Sequence, residues 1–404
     1  MSWEYIRLSE LYEVHNGLSK GGKFFGNGFP FLSFSTVFNN WFLPAVLPDL
    51  VQSTEKEQIS YSIERGDVFI TRTSETMDEL GMSSVALKSY PQATYNGFTK
   101  RLRPIDNRIL PEFVGYYLRC PVFRGGFRAF STMTTRASLR NEDLLSMEIP
   151  VPPMDMQQRI AAILSNYDNL IENNQKQIKL LEEAAQRLHK EWFVDLRFPG
   201  YEATPVVDGM PEGWELCHLE DVIEFNPKVP LSKERLKQSV PMSALSTSSM
   251  TLDTEEFAAT FSNSGSKFQN GDTLLARITP CLENGKTAFV AGVESDEGAV
   301  GSTEFIVMRS KGINPYMVYL LARNDSFRQS AINSMTGSDG RQRAQADKLK
   351  ALPYLKPADQ IMMLFARYVE PMFIQIQKKN EQNVRLRQAR DRLLPKLMSG
   401  EVEV

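Results

Sequence analysis

Cysteine and histidine are scarce in this chain. Its 404 residues contain three of each, namely Cys120, Cys217, Cys281, His15, His189 and His218. An odd number of scattered cysteines argues against a disulfide framework and is typical of a reducing compartment. The histidines do not cluster with the cysteines along the sequence, so we expect no zinc site.

Long apolar runs are also missing. No stretch approaches the roughly 20 apolar residues that a membrane-spanning helix needs, and the first residues show no basic segment followed by an apolar one. We therefore expect a cytoplasmic protein without a signal peptide. The formal net charge of −3 does not favour nucleic-acid binding, yet local basic grooves are compatible with an acidic whole. Hydrophobic residues make up 42% of the chain, which is enough to build real cores.

The strongest positive feature is an internal duplication. Landmarks of the first half recur in the same order at a nearly constant offset: Trp3-Glu4 as Trp214-Glu215, Gly66-Asp67 as Gly271-Asp272, Pro111 as Pro315, and Phe123-Arg124 as Phe327-Arg328. Each copy is too long for a solenoid repeat, so the pattern predicts two diverged copies of one domain. Two such copies are expected to have pseudo-twofold symmetry, which duplex DNA shares.

Each copy ends in a segment with a heptad pattern. Apolar residues alternate at spacings of four and three, as in a coiled-coil seam. The seam positions are Ile160, Leu164, Tyr167, Ile171, Asn174, Ile178, Leu181 and Leu188 in the first segment and Val369, Met372, Ile376, Leu386 and Leu393 in the second. We interpret Asn174 as a hydrogen-bonded core residue that fixes register, with Asn383 in a comparable place. Asp155 is the expected N-cap of the first helix, and Pro371 is expected to kink the second.

The connectivity of the segments predicts how the two helices pair. The first helix delivers the chain to the second domain and the second helix leaves it, so burial of both stripes predicts an antiparallel pair. The predicted fold is α+β, with two pseudo-twofold-related globular α/β domains, residues 1–154 and 199–358. Two long antiparallel coiled-coil helices, residues 155–198 and 359–404, separate them. One short helix per domain is predicted, over residues 111–119 and 315–323, each with a proline near its start.

Four further segments carry a resemblance to a known family. They are Pro152-Pro153 with Gln157, Gln158 and Ile160, then Pro211 to Glu215, Gly337 to Arg343, and Leu393 to Glu401. Together with the duplication and the two long helices, they resemble the specificity (S) subunit of a Type I restriction-modification system over nearly the whole chain. The first copy departs from the pattern, because it reads Thr134 to Ser138 where the second has the Gly337 to Arg343 segment.

The resemblance implies a role in DNA recognition. It implies two target-recognition domains that each read half of a split DNA sequence, with the long helices setting the gap between the halves. The implied partners are double-stranded DNA, two methyltransferase (M) subunits and restriction (R) subunits, and no membrane. S-adenosylmethionine, ATP and Mg²⁺ are then expected on the partner subunits, with no cofactor or metal in this chain. No local signature of a catalytic constellation is visible, so we expect the chain to be non-catalytic alone.

Three polar segments of each copy are candidates for reading DNA, because base edges are read by Arg, Lys, Asn or Gln. They are an early loop, the segment after the Gly-Asp strand and the loop before the long helix. The candidate DNA-binding residues are Lys20, Lys23, Arg72, Arg136, Ser138, Arg140, Arg277, Lys286, Arg341, Gln342 and Arg343. The alternative for each is a solvated surface side chain, and it is weakest for the glycine-flanked Gly337 to Arg343 run.

Two other kinds of protein fit parts of the pattern. One is a coiled-coil adaptor or scaffold whose duplicated domains bind other proteins. The other is an enzyme with an unrecognised site, such as a standalone nuclease. Salt-sensitive DNA affinity distinguishes the recognition subunit from the adaptor, and incubation of the chain with DNA and Mg²⁺ tests for a nuclease.

Overall fold

The computed structural model describes residues 3–74, 80–130, 137–295, 297–338 and 340–404. The chain divides into two compact units, which we call unit 1 (residues 1–169 and 386–404) and unit 2 (residues 170–385). Each of the two long helices therefore contributes residues to both units.

Unit 1 is built from short strands and helices ahead of the first long helix. Its strands are β1 (Glu4–Arg7), β2 (Tyr12–Asn16), β3 (Phe25–Leu32), β4 (Asp49–Val51), β5 (Val68–Thr71), β6 (Thr73–Ser74), β7 (Ser83–Val85), β8 (Thr94–Tyr95), β9 (Thr99–Pro104), β10 (Ala137–Ser138) and β11 (Glu148–Val151). Its helices are α1 (Leu8–Leu11), α2 (Phe34–Asn39), α3 (Glu55–Ser60), α4 (Pro111–Tyr117), α5 (Pro121–Phe130), α6 (Asn141–Ser146) and the first part of α7 (Met154–Phe193).

Unit 2 repeats this composition. Its strands are β12 (Val206–Val207), β13 (Met210–Pro211), β14 (Glu215–His218), β15 (Ile223–Phe225), β16 (Lys237–Val240), β17 (Ala258–Thr260), β18 (Ser266–Phe268), β19 (Thr273–Ala276), β20 (Thr287–Phe289), β21 (Ala299–Gly301), β22 (Phe305–Ser310) and β23 (Pro353–Lys356). Its helices are α8 (Leu219–Val222), α9 (Pro315–Arg323), α10 (Asp325–Asn333), α11 (Ala346–Lys350) and the first part of α12 (Asp359–Ser399).

The two units share one topology. The central antiparallel sheet has the order β2-β9-β5-β7 in unit 1 and β15-β22-β19-β20 in unit 2. A second sheet contains a parallel pair in each unit, β3 with β8 and β16 with β21. The first strand of each copy pairs with the strand before the long helix, β1 with β11 and β14 with β23. The predicted duplication is confirmed, as are the short helices that begin at Pro111 and Pro315.

The repeated Gly-Asp pair forms the turn that leads into β5 and β19. Both glycines have a left-handed φ, 92° and 91°, which only glycine adopts without strain. The buried carboxylate of Asp67 accepts two hydrogen bonds from Arg103, at 2.8 and 2.7 Å, and Asp272 accepts two from Arg309, both at 2.7 Å. These bonds raise the pKa of both guanidinium groups. In each unit this pair of hydrogen bonds, which we call the fork, joins the start of one central strand to the neighbouring strand.

Within each unit the two long helices pack against one another. In unit 1, Ile160 and Leu164 of α7 share a buried cluster with Leu394, Leu397 and Met398 of α12. Residues early in α7 therefore meet residues late in α12, as an antiparallel pair requires.

Unit 2 contains the complementary part of the pair. Trp192, late in α7, contacts Phe365, early in α12, with ring centroids 5.6 Å apart. Further back along α7, the Asn174 side-chain amide donates to the Asn383 oxygen at 3.0 Å and to Gln382 at 3.2 Å. Both asparagines are buried. The two buried amides can hydrogen-bond to each other only when the asparagines stand opposite one another. The pair therefore selects one register of the two helices.

The predicted seam positions differ in burial. Those that are buried are Ile160, Leu164, Ile171, Asn174, Ile178, Val369 and Ile376, whereas those that are half-buried are Tyr167, Leu181, Leu188, Met372, Leu386 and Leu393. In α12 the fully packed neighbours are Phe373 and Leu394, each one residue beyond the predicted position. In a straight helix the buried face rotates slowly relative to a strict seven-residue repeat. A heptad frame extended over this length therefore no longer coincides with the buried positions.

The predicted ends of the first long helix need correction. Asp155 lies inside the first turn, where it pairs with Arg159 at 2.9 Å, and is not the N-cap. The helix ends at Phe193 and not at 198, because the following chain turns through Leu196, whose φ is 57°, and buries Phe198 against Trp214 with ring centroids 5.1 Å apart. The second helix continues through Pro371.

None of the helices in the described ranges combines the length and the apolar character that a bilayer crossing requires.

The forks make a stability prediction. Asp67→Asn or Asp272→Asn leaves a guanidinium group without its buried charge partner, which costs about 3 kcal/mol of unfolding free energy. Urea denaturation followed by circular dichroism measures the loss as a lower midpoint. The matched control is Asp347→Asn, since Asp347 is 91% exposed in its pair with Lys350, and it should change the free energy by less than about 0.5 kcal/mol. Equal midpoints for Asp272→Asn and the control would contradict the prediction.

A second prediction concerns pH. Burial lowers the pKa of His189 to about 4, below the ordinary value of about 6.5. Between these two values the unfolded chain binds a proton that the folded chain does not, so stability falls as pH falls through this window, by up to about 3 kcal/mol. Stability curves measured from pH 7 to pH 4 should show a weaker decline for His189→Leu than for the unmodified chain. Parallel curves would show that His189 does not contribute.

Candidate nucleic-acid interface

The strand that follows each Gly-Asp turn leads to an arginine held identically in both units. The Arg72 backbone N–H donates to the Phe98 carbonyl at 3.0 Å, and the Arg277 N–H donates to the Glu304 carbonyl at 2.9 Å. In both arginines the side-chain Nε is buried and has no hydrogen-bond partner among the described residues. A buried donor without a partner costs free energy, which a ligand that supplies an acceptor would recover.

The segment before each long helix returns to this arginine. In unit 1, Ser138 of β10 pairs with Thr73 of β6, and in unit 2, Arg343 forms a bridge with Ile278. The next residue in each copy donates its N–H to the carbonyl of the arginine, at 2.9 and 2.8 Å. Two of the three segments predicted to read DNA therefore come together, and they do so in the same way in both units.

In unit 2 the return segment adds an ion pair. Arg343 Nε lies 3.0 and 2.9 Å from the two carboxylate oxygens of Glu304, and its Nη2 lies 2.7 Å from one of them. The hydrogen bonds from Arg343 lower the pKa of Glu304 and raise that of Arg343. Glu304 is therefore an ionised acceptor next to Arg277 at the mouth of the loop.

The tip of the same loop exposes further donors. Arg341 is exposed and Gln342 is half-exposed, and both directly follow Gly340, which has a left-handed φ of 76°. The Thr279 N–H donates to the Gln342 carbonyl at 3.1 Å, which anchors the backbone and leaves the Gln342 side chain outside this bond.

In the early loop of unit 1, the two candidate lysines differ in their contacts. Lys20 donates to Glu57 at 2.7 Å and to the Gln52 carbonyl at 2.5 Å, so its ammonium group is held within the unit. The ion pair supports the N-terminus of α3, where Glu57 also forms a capping box with Thr54. Lys23 is exposed and lies over the Phe24 ring at 5.1 Å.

The remaining candidates are unevenly placed. Arg140 is exposed and pairs with Asp143 at 2.9 Å, and half-buried Lys286 donates to the Met242 carbonyl at 3.0 Å. Arg136 lies outside the described residues, and only the backbone of Ser138 is described.

Lys100 is a nearby residue that the sequence prediction missed. It is buried, donates to Asn141, and has its pKa lowered by burial and by the charge of Arg72. No motif marks it, because only its place on β9 brings it near Arg72.

Unit 2 also contains a cleft that the sequence prediction missed. Its volume is about 730 Å³ and its lining includes Arg277, Lys228 and Lys267. Neither lysine forms an ion pair within the described part of the chain. The cleft brings together a loop after β15, strand β18 and the end of β19, which are far apart in sequence. Its position next to Arg277 gives the arginine two cationic neighbours suited to phosphate groups.

No group of three His, Cys, Asp or Glu side chains in the described ranges is placed to hold a metal ion. Cys120, Cys217 and Cys281 are free thiols. Burial raises the pKa of Cys120 and of Cys217, so neither is activated as a thiolate.

Known proteins resemble this chain over its whole length. A family model for the Type I restriction modification DNA specificity domain matches residues 1–183. The MjaIX specificity subunit of a Type I restriction enzyme from Methanocaldococcus jannaschii is 24% identical over 436 residues, which cover 100% of this chain and 94% of that protein. The EcoAI specificity subunit from Escherichia coli is 35% identical over 140 residues, covering 33% of this chain and 23% of that protein. The first 183 residues therefore match the Type I DNA specificity domain, and the whole chain is similar to Type I specificity subunits.

A solved structure extends the likeness to the fold. The Type I S subunit from M. genitalium covers 98% of this chain and 96% of its own, with a TM-score of 0.57 at 14% sequence identity. The family model covers the first copy and much of α7. The second copy repeats the strand order of the central sheet of the first, as expected for two copies of one domain.

Proposed function

We propose that this chain is a specificity subunit that binds a bipartite DNA target, one half through each unit, and docks two methyltransferase subunits and the restriction subunits without catalysing a reaction itself. The observation that carries the proposal is the shared arginine. Arg72 and Arg277 occupy the same backbone position in two units of one topology, and each has a buried guanidinium N–H without a partner among the described residues.

The chemistry of the arginine suits base recognition. A guanidinium group donates two parallel hydrogen bonds to O6 and N7 of guanine in the major groove, and one such contact discriminates against a wrong base by about 1–3 kcal/mol. The neighbours of Arg72 and Arg277 differ, since one lies beside Phe98 and the other beside Glu304. We therefore infer two different half-sites, which together form a split and asymmetric target.

The partner subunits supply the chemistry in this proposal. Similarity to Type I restriction enzyme specificity subunits supports the roles of methyltransferase and restriction subunits, on which S-adenosylmethionine, ATP and Mg²⁺ would be bound. Adenine methylation requires the target base to leave the stacked duplex and enter the partner's active site. This chain holds the DNA in register while that occurs.

A map of methylated adenines tests the bipartite target. DNA methylated by the complex of this chain with its methyltransferase should show two short defined blocks separated by a spacer of unspecified sequence. Arg72→Gln should reduce discrimination roughly tenfold or more within one block only, and Arg277→Gln within the other, because each removes one base contact.

The matched controls are the exposed arginines Arg65→Gln in unit 1 and Arg235→Gln in unit 2, which pair with Glu112 and Glu297. Both should leave the methylated sequence unchanged. If Arg72→Gln and Arg277→Gln altered the same block, the division of reading between units would be wrong. An unmodified complex without sequence-specific, salt-sensitive DNA binding would favour the adaptor.

Phosphate contacts should govern the salt dependence. Lys228→Ala and Lys267→Ala each remove one cation from the cleft beside Arg277, so each should reduce the slope of log affinity against log salt by about 1, equally on cognate and unrelated duplexes. Fluorescence anisotropy titrations of the complex at several salt concentrations measure the slope. Lys176→Ala, on the exposed face of α7 in a pair with Glu172, is the control and should leave the slope unchanged. Unchanged slopes for both cleft variants would place the DNA elsewhere.

A further inference from the structure

The residue beside the shared arginine lies at the same backbone position in both units. In unit 1 the Phe98 N–H donates to the side-chain oxygen of Asn96 at 2.7 Å, and the next N–H donates to the Asn96 carbonyl at 3.0 Å. In unit 2 the Glu304 N–H donates to the Ser302 hydroxyl at 3.2 Å, and the next N–H donates to the Ser302 carbonyl at 3.2 Å. The two turns have the same hydrogen-bond pattern, so Phe98 and Glu304 are structural equivalents.

The side chains at this position differ completely in chemistry. Phe98 is 56% exposed, which leaves its ring available to a ligand. The Glu304 side chain is only 21% exposed and is oriented by the fork from Arg343. The shared turn therefore presents an apolar surface in unit 1 and an ionised acceptor in unit 2, each beside an arginine with an unpaired donor.

The major-groove edges of base pairs also differ in whether they present an apolar group or a hydrogen-bond donor. Cytosine presents the N4 amino group, a donor that a carboxylate accepts, and its paired guanine presents acceptors for arginine. Thymine presents a methyl group, which an aromatic ring contacts. Each carboxylate oxygen accepts more than one hydrogen bond, so the fork from Arg343 leaves Glu304 able to accept another.

We propose that Phe98 and Glu304 are specificity-determining residues at one corresponding base pair of each half-site. Glu304 accepts a hydrogen bond from cytosine N4 while Arg277 donates to guanine, and Phe98 packs against a thymine methyl group beside Arg72. The inference rests on the proposed bipartite DNA binding and deepens it, because it assigns the chemical class of base to each unit.

The first test uses the complex of the full chain with its methyltransferase. Glu304→Gln retains an acceptor for Arg343, so the loop is retained, but it places an amide where the carboxylate accepted the cytosine amino group. Methylated-adenine maps should show discrimination for C·G falling at least tenfold at one position of the half-site read by unit 2. The other half-site and the spacer should not change. Glu294→Gln, an exposed glutamate of the same unit, is the control and should leave every position unchanged.

The second test uses the missing methyl group of uracil. Duplexes that carry uracil in place of each thymine of the other half-site are compared in competition binding with the unmodified complex and with Phe98→Ala. One uracil position should weaken binding of the unmodified complex about threefold or more and have no effect on Phe98→Ala, because only the first has a ring to contact the methyl group. An equal uracil effect on both proteins would overturn the assignment of Phe98.

The outcomes separate this inference from the function on which it rests. If the unmodified complex methylates a split sequence and Glu304→Gln methylates that same sequence with unchanged preferences, the assignment of Glu304 is wrong and the bipartite function stands. If Glu304→Gln abolishes methylation, the binding of the variant complex is measured in competition with duplexes that are substituted at single positions. Equal loss on all of them contradicts the assignment, whereas lost discrimination at one position supports it. If the unmodified complex shows no sequence preference, the proposed function itself fails.

Discussion

The buried carboxylate–guanidinium fork is the constraint on which the rest of each unit depends. Asp67 and Asp272 lie at the start of a central strand, and Arg103 and Arg309 lie near the end of its antiparallel neighbour. A carboxylate removed from water is tolerated only when its hydrogen bonds are satisfied. Here two come from the arginine and one from a backbone N–H three residues earlier, Glu64 or Gln269. A one-residue slip of the strand pair would break the two bonds from the arginine and turn the side chains of the slipped strand to the wrong face.

The register that the fork sets at one end of the strand pair determines which side chains lie side by side at the other end. The antiparallel pairing that places Asp67 near Arg103 also places Arg72 beside Phe98, and its counterpart in unit 2 places Arg277 beside Glu304. The fork contributes stability and touches no ligand, whereas the turn at the far end contributes little to the core. Residues at the turn are therefore free to differ between copies. Under the proposed function, this separation lets one fold support two DNA-reading units with different preferences.

The sequence predicts features that depend on local pattern and misses those that depend on contacts across the fold. The repeated Gly-Asp pair, the proline-led short helices and the long helices are all local patterns. Lys20 resembled a free loop cation, but Glu57 holds it, and that contact depends on how the loop meets α3. Lys228 and Lys267 belong to no motif, since the cleft arises from segments that are far apart in sequence. Phe198 follows a helical pattern yet leaves the helix, because burial against Trp214 outweighs one further turn.

The long helices show how far duplicated parts have diverged under these constraints. A tyrosine of the short helix donates to an acid of α7 in both units, Tyr116 to Asp168 at 2.6 Å and Tyr319 to Glu182 at 2.5 Å. The two tyrosines are not equivalent positions, because Tyr116 is the fifth residue after Pro111 and Tyr319 is the fourth after Pro315. On α12, Phe373 packs edge-on against Tyr319, with ring centroids 5.7 Å apart. The helix α7 therefore supplies the acid within each unit, although the donor stands one position apart on the short helix. A hydrogen bond from a tyrosine to a buried acid allows fewer positions of the short helix than apolar packing does, because an apolar stripe still packs when one helix slides along the other. The polar contacts along α7 thus specify a single seating of each short helix, and the apolar seam supplies most of the stabilisation.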